Sequence, residues 1–276
     1  MSAVTAGRLG LDVDYPEGEL VPEGDLQLRR RIEVVVALRH WLAEQRPDAA
    51  GWVLSDINVY YREGEPKAVV APDVAVAFGV NTEAVAGAST YKVWEAGAAP
   101  CFVLEIASPG TYRTDERDKP ATYAALGVQE YWRLDPTGGE MLTPPLLGKR
   151  RAAGRWEPIP TSIAAGGAVR GTSDVLGLEL RWQHPKLRLL DAATGQWLLD
   201  PDDLAAAHRA TRTRARREAD RAQREADRAQ RETTRADREA ARADREAAAR
   251  RSAEAELAAL RQRLQPPDAT PHGTDR

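Results

Sequence analysis

Apolar residues are distributed along this chain in two ways, and the change from one to the other divides it. Up to about residue 203, short runs rich in β-branched and aromatic residues alternate with Gly-, Pro- and Asp-containing breaks, the pattern of short strands and turns. From 204 to 265 there is no glycine or proline, and alanine recurs at helical spacing among charges. Within the first part, Asp25 stands as an N-cap for a helix over about 25–45, with a stripe at positions 32, 35, 36, 39, 42 and 43. A strand is expected over 52–61, then a turn at 62–66, then a second strand over 68–78 that completes a hairpin. Residues 79–100 read as a looser connection, with Trp94 as a lid or packing residue.

The run 102–108 is a buried strand by length and by its end at Pro109-Gly110. A helix over about 116–126 follows, closed by Gly127, and then a strand over 129–135. This strand–helix–strand unit is a parallel crossover, right-handed by the usual rule. Short strands are expected at 141–147, 155–159, 175–182, 187–190 and 197–199. The order of elements predicts an α+β fold, a mixed sheet flanked by helices. The organisation expected is an extended arm over 1–24, a folded domain over 25–203, a long charged helix over 204–265 and a disordered tail over 266–276.

The 204–265 segment carries an identical heptad twice, at 217–223 and 224–230, followed by degenerate copies. Glu218 with Arg221 and Asp220 with Arg224 stand at ion-pairing distance on a helix. Alanines such as Ala219, Ala222, Ala226 and Ala229 fall at coiled-coil core spacing, and Leu257, Leu260 and Leu264 anchor the end. A solvated single helix, a homo-oligomeric coiled coil and an arginine-rich nucleic-acid binder are all compatible with this pattern; the interleaved acids weigh against the last.

Composition narrows the setting. With 276 residues and one cysteine, Cys101, the chain has no internal disulfide, which suits a reducing, cytoplasmic environment. No apolar run approaches a membrane span, and the N-terminus lacks the apolar core of a signal peptide. The net charge of −3 is uneven: residues 1–203 hold 21 Lys+Arg against 29 Asp+Glu, and residues 204–264 hold 17 Arg against 11 acids. The front part is therefore no general polyanion binder. Lysine is scarce, occurring only at positions 67, 92, 119, 149 and 186.

The candidate chemistry lies in the apolar runs. Glu105 is the single acid of 102–108, and Asp73 the single acid of 68–78. A carboxylate in such a run is costly to bury unless a cation meets it. If the two strands are sheet neighbours, both acids can hold one Mg²⁺ or Mn²⁺, leaving positions for water and a phosphate oxygen. Lys119, one short helix beyond Glu105, is the expected cation beside the nucleophile, orienting water or helping to deprotonate it. Asp115 is read as the cap of that helix, with support of the lysine as the alternative. Tyr123, Tyr131 and Trp132 are read as packing residues rather than base-stacking platforms. His40, His184, His208 and His272 are scattered, and no HxxxH, CxxC or Gly-rich phosphate loop occurs, which disfavours zinc, thiol and P-loop chemistry.

Three segments carry a family resemblance: Ala71-Pro72-Asp73-Val74, then 103–108, then the series Asp115, Lys119, Tyr123, Gly127-Val128, Glu130-Tyr131-Trp132 and Asp135-Pro136. Together they resemble the Uma family of the PD-(D/E)xK, restriction-endonuclease-like superfamily, over about residues 15–200. The resemblance implies a restriction-endonuclease-like mixed sheet, with Asp73 and Glu105 as metal ligands, Lys119 as catalytic cation, Mg²⁺ or Mn²⁺ as cofactor and DNA as partner. In that superfamily the lysine usually stands two residues after the second acid, where this chain has Ala107; related sequences carry it on the following helix, as Lys119 is. The resemblance also implies an acid from the first helix region, Glu23 or Glu33. Where members often have a histidine near the start of that helix, this chain has Gln27 and Leu28. The expectation is a Mg²⁺-dependent DNA endonuclease. Its rivals are a catalytically idle domain that binds nucleic acid or protein and assembles through its tail, and a structural coiled-coil protein with a passenger domain. Homo-oligomers through the domain or the tail stay open.

Overall fold

The computed structural model describes residues 24–164 and 166–264. It divides into two compact units, residues 1–206 and 207–276. The expected arm and its Glu23, like the tail after 264, lie outside the described residues.

The first unit opens with α1 (Asp25–Gln45) and a single 3₁₀ turn, Pro47–Ala49. Then come β1 (Trp52–Leu54), β2 (Asn58–Tyr60), β3 (Val69–Val70), β4 (Val74–Ala77), α2 (Thr82–Val85), β5 (Thr90–Lys92), α3 (Val93–Ala96) and β6 (Phe102–Ile106). The crossover is α4 (Tyr112–Arg117) and α5 (Lys119–Leu126), leading to β7 (Glu130–Leu134). A run of hairpins follows: β8 (Leu146–Ala152), β9 (Arg155–Ile159), β10 (Thr161–Ile163), β11 (Val169–Ser173), β12 (Leu178–Gln183) and β13 (Lys186–Asp191). The last described element is α6 (Pro201–Leu264). The fold is mixed α+β, as the element order implies.

The main sheet has the order β1-β4-β6-β7-β8-β9, and β6 and β7 form its parallel pair. A four-stranded antiparallel sheet, β10 to β13, and a small sheet, β3-β2-β5, complete the unit. Because strand side chains alternate, the main sheet has two different faces. One carries Val74, Val76, Phe102, Leu104, Trp132 and Leu134, packed against Val34, Leu38 and Trp41 of α1 and the apolar side of β12 and β13. The other carries Ala75, Ala77, Val103 and Tyr131 and is covered by Tyr123 and Leu126 of α5. Trp132 fills the space between sheets so closely that a Cβ at Gly148 or Gly171 would come within 2.8 Å of its ring, so both positions exclude a side chain.

Several expectations are corrected. Asp25 is the first residue of α1, not its cap: the N-cap is Gly24, with no side-chain bond. Of the stripe expected for α1, Val35 and Leu42 are buried but Ile32, Arg39 and Ala43 are exposed; the buried face also takes in Val34, Leu38 and Trp41. The 52–61 strand is two strands in different sheets, broken where Asp56 adopts a positive φ of 50°. The 68–78 strand likewise splits into β3 and β4, and Asp73 lies in the gap. The 116–126 helix is interrupted at Asp118, because Pro120 lacks the N–H that would bond back to Glu116 and instead occupies the first turn of a new helix. Finally, α6 starts at Pro201 rather than 204. Asp203 N donates to Asp200 Oδ1 (2.9 Å) and Asp200 N to Asp203 Oδ2 (3.3 Å), a reciprocal cap with proline in the first turn.

The second unit is the remainder of α6. Among the described side chains from 207 onward, all are exposed apart from a half-buried Ala247. Five ion pairs run from an arginine to the glutamate four residues on, once per heptad from Arg214–Glu218 to Arg242–Glu246, at 2.9 to 3.1 Å. No described helix is long and apolar enough to cross a membrane.

Candidate active site

Strand register sets the site. β4 and β6 pair antiparallel with Val74 opposite Leu104 and Ala75 opposite Val103. Continuing that register one step puts Asp73 opposite Glu105. β6 and β7 pair in parallel with Glu105 opposite Arg133. Asp73, Glu105 and Arg133 therefore form a row across three adjacent chain segments, and their side chains leave the sheet on one face. That face is the one covered by α4 and α5.

The ladder stops beside this row for a local reason. Ile106 would next pair with Pro72, which has no N–H to donate, and whose carbonyl is taken by the N–H of Asp56 (3.1 Å). Ile106 is left with two backbone groups to satisfy, and side chains supply both partners. Its N–H donates to Asp73 Oδ2 at 2.7 Å, and its carbonyl accepts from Gln27 Nε2 at 2.9 Å. The proline before Asp73 thus ends the strand, and the bond to Ile106 fixes the carboxylate beside Glu105.

The covering helices bring one cation. Lys119 Nζ lies 2.9 Å from Glu105 Oε2 and 2.9 Å from Asp115 Oδ1. Asp115 and Lys119 are one helical turn apart, so both face the sheet although the helix breaks between them. Tyr123, one turn further on, donates its hydroxyl to Glu105 Oε1. The Tyr131 hydroxyl donates to the carbonyl of Asp115 at 2.7 Å, tying α4 to β7. Trp156 Nε1 donates to the carbonyl of Pro120 at 2.9 Å and holds the start of α5. Glu105 is 1 % exposed and the Lys119 side chain 23 %, so solvent reaches the pair from the lysine side.

Burial dominates the electrostatics. It pushes the Glu105 carboxyl up to about 8; Lys119 opposes this, and Asp73 and Asp115 reinforce it. Asp73 is raised for the same reason, against the bond from Ile106 and the charge of Lys119. For Lys119 burial pulls the other way, but Glu105 and Asp115 outweigh it and hold the ammonium above its ordinary value. Lys119 therefore carries its proton when both carboxylates flank it and no metal is bound.

The structure brings Asp73, Glu105, Asp115 and Lys119 together and leaves Glu33 apart. α1 packs on the opposite face of the main sheet, where Glu33 meets Arg30 at 2.5 Å. Burial raises the Glu33 carboxyl, and Arg30 and Lys186 are the cations that oppose this. The residue of α1 that reaches the site is Gln27. Asp115 supports the lysine instead of capping a helix. Tyr123, Tyr131 and Trp132 are buried as expected, but Tyr123 also holds Glu105. Sequence reasoning passed over Arg133, which is 6 % exposed with Glu116 at 3.8 Å. The signal was available: an arginine inside the apolar run 130–134.

Two other buried acids have different work. Glu130 accepts Trp132 Nε1 and the N–H groups of Asp174 and Val175. Asp135 accepts four backbone N–H groups and the Thr137 hydroxyl. Burial raises that carboxyl, but these bonds outweigh it and hold it low. Both are saturated by donors, whereas Glu105 Oε2 and Asp115 Oδ1 are buried with no aligned donor and only the Lys119 ammonium as counter-charge.

That difference bears on a metal. Among the described residues no three His, Cys, Asp or Glu side chains are grouped to hold an ion. Magnesium does not require three: it is commonly bound through one or two carboxylates with water and substrate phosphate completing the shell. Asp73 and Glu105 are two hard oxygen donors side by side, and with Asp115 they outnumber Lys119. The residues fit a divalent cation of this kind.

A family model described as "Putative restriction endonuclease", Uma2, matches residues 8–181. A solved structure, that of a "putative nuclease belonging to DUF820" from Anabaena variabilis ATCC 29413, is similar at 18% identity with a TM-score of 0.37, over 54% of this chain and 77% of that one. Among curated proteins nothing matches the chain.

Proposed function

Because the chain belongs to the Uma2 family, described as putative restriction endonucleases, we propose that it is a Mg²⁺- or Mn²⁺-dependent endonuclease acting on DNA. In this reading Asp73 and Glu105 hold the cation and Lys119 serves the attacking water. The observation that carries it is the Asp73–Glu105–Lys119 constellation: two acids from adjacent segments and one ammonium 2.9 Å from the second acid. A bound divalent ion supplies Lewis acidity toward the scissile phosphate.

The chain's own groups do the rest. Lys119 holds its proton between Glu105 and Asp115, so it orients water and stabilises negative charge developing on the phosphate. In this reading, while both carboxylates flank it, the lysine keeps its proton and orients water rather than removing a proton from it. Tyr123 and Ile106 N–H fix the two acids, and Asp115 fixes the lysine. Arg133 adds a second cation to the same row, suited to a phosphate oxygen.

Purified protein incubated with supercoiled plasmid and Mg²⁺ or Mn²⁺ tests the proposal. Asp73→Asn, Glu105→Gln and Lys119→Ala should each lower nicking by about a hundredfold or more. Cleavage that survives Asp73→Asn and Lys119→Ala would rule out this site. The rival reading, an idle domain that binds without cutting, draws on the fact that both Glu105 oxygens are engaged, by Tyr123 and by Lys119. It predicts no nicking with either metal and no rise in melting temperature when Mn²⁺ is added.

A further inference from the structure

The family match ends at residue 181, and α6 lies beyond it. The cations of α6 are arginines, and ten of them, from Arg214 and Arg217 to Arg242 and Arg245, fall alternately three and four residues apart, with Arg216 standing off this series. That spacing keeps them on one side of a helix, in a file roughly 47 Å long. The interleaving of acids along the sequence carries over to the helix surface unevenly. One glutamate per heptad borders the file, and each is taken by the first arginine of its pair, as in Arg228–Glu232 and Arg235–Glu239.

The other border changes halfway. In the two identical heptads it is acidic, with Asp220 and Asp227 one turn from Arg224 and Asp227 also one turn from Arg231. In the degenerate copies the same positions are Thr234, Ala241 and Ala248, and the aspartates have moved to Asp237 and Asp244, which do not face the file. The helical neighbours of Arg238 at three and four residues are Thr234, Arg235, Ala241 and Arg242, without a carboxylate. Among the described residues, Arg245 donates to the carbonyl of Ala241, at 3.1 Å, and meets no carboxylate. A shallow cleft lies here, lined by Gln230, Arg231, Thr234, Arg235 and Arg238. The degeneracy of the repeat therefore has a direction: it clears acid from one turn either side of Arg238 and Arg245 while keeping the pairs that stabilise the helix.

We propose that the Arg231–Arg245 face of α6 binds the phosphate backbone of double-stranded DNA. Successive arginines rise about 5 Å along the axis. Guanidinium groups take phosphate in a bidentate manner, and a file of them matches a file of phosphates in charge and in form. With no base-reading chemistry on the face, binding is independent of sequence and strongly dependent on salt. The choice of DNA as the polyanion rests on the nuclease reading above; the face itself does not depend on cleavage.

The test is fluorescence anisotropy of the full chain with a labelled duplex of arbitrary sequence, in EDTA so that nothing is cut, over a range of salt. Arg231→Gln, Arg238→Gln and Arg245→Gln together should weaken binding at low salt by about tenfold or more. The slope of log affinity against log salt should fall by about 2 to 3. The corresponding three lysine replacements should bind within about twofold of the parent. Arg212→Gln, Arg216→Gln and Arg251→Gln, with the same charge change off the file, should also stay within about twofold. Circular dichroism of each variant controls for helix content. Equal losses from the on-file and off-file sets, or no loss from the on-file set, overturn the proposal. So does tighter file-dependent binding to phosphatidylglycerol vesicles than to the duplex, which would assign the face to a membrane surface. A chain that binds through this face without cutting DNA upholds it, and one that cuts while ignoring the face refutes it.

Discussion

Lys119 meets Glu105 at 2.9 Å in the first unit, and Arg221 meets Glu225 at 3.0 Å on α6. The distances are alike, but the surroundings are not. The Glu105 side chain is 1 % exposed, whereas the Arg221 and Glu225 side chains are 80 % and 67 % exposed. Water screens the second pair and hydrates each member when it is alone, so it contributes only a few tenths of a kcal/mol to the helix. The first pair has no such alternative. Removing one member strands the other in a poorly polarisable interior. The lesson is that separation alone does not measure an ion pair. Burial makes the first pair a constraint on the whole domain and lets the second recur along the helix as a modest local support.

Four measurements can break or sharpen this contrast. The largest effect is expected from Lys119→Met at pH 8, which leaves Glu105 and Asp115 without their cation. It should cost about 3–5 kcal/mol of unfolding free energy in urea titration. A loss under 1 kcal/mol would show that the buried acids do not need the lysine. Tyr123→Phe removes the donor to Glu105 Oε1 and should cost about 1–3 kcal/mol by the same method.

The third measurement concerns pH. Glu105 is raised to about 8 and Asp73 is also raised. Between about pH 5 and 8 the folded chain therefore binds more protons than the unfolded one, and stability of the metal-free protein falls as pH rises. Lys119 titrates above this window and does not reverse the sign. Melting temperature in EDTA should decline from pH 5 to 8, and Glu105→Gln should flatten that decline and melt higher than the parent at pH 8. The smallest effect belongs to Arg221→Gln, at most about 0.5 kcal/mol, read as a change in α6 helicity.

Parts of the site were legible because they obey local rules. A single acid in each of two apolar runs marks Asp73 and Glu105 as chemically unusual, and a rare lysine one helix later stands out in a chain that prefers arginine. Other parts turn on relations that no short window contains. Asp115 sits where a cap would sit, and only the break before Pro120 and the packing of both short helices on the sheet turn it toward Lys119. Gln27 is unremarkable until Ile106 is left with an unpaired carbonyl by Pro72. Arg133 joins the row only through the parallel register of β6 and β7. Glu33, on a helix that packs on the far face of the sheet, could not be separated from a site residue by helical spacing alone.

The sequence by itself determined the element types, the α+β order, the acids and amine that stand out from their runs, and the heptad arginines and glutamates of the long helix. These follow from period, turn chemistry and composition, which are properties of neighbours along the chain. Tertiary structure alone decided which face of the sheet each acid occupies, which helix covers it, and which cation stands beside it. Those depend on strand register and burial, and a shift of one residue in register would have turned Glu105 to the face that α1 covers and away from Lys119.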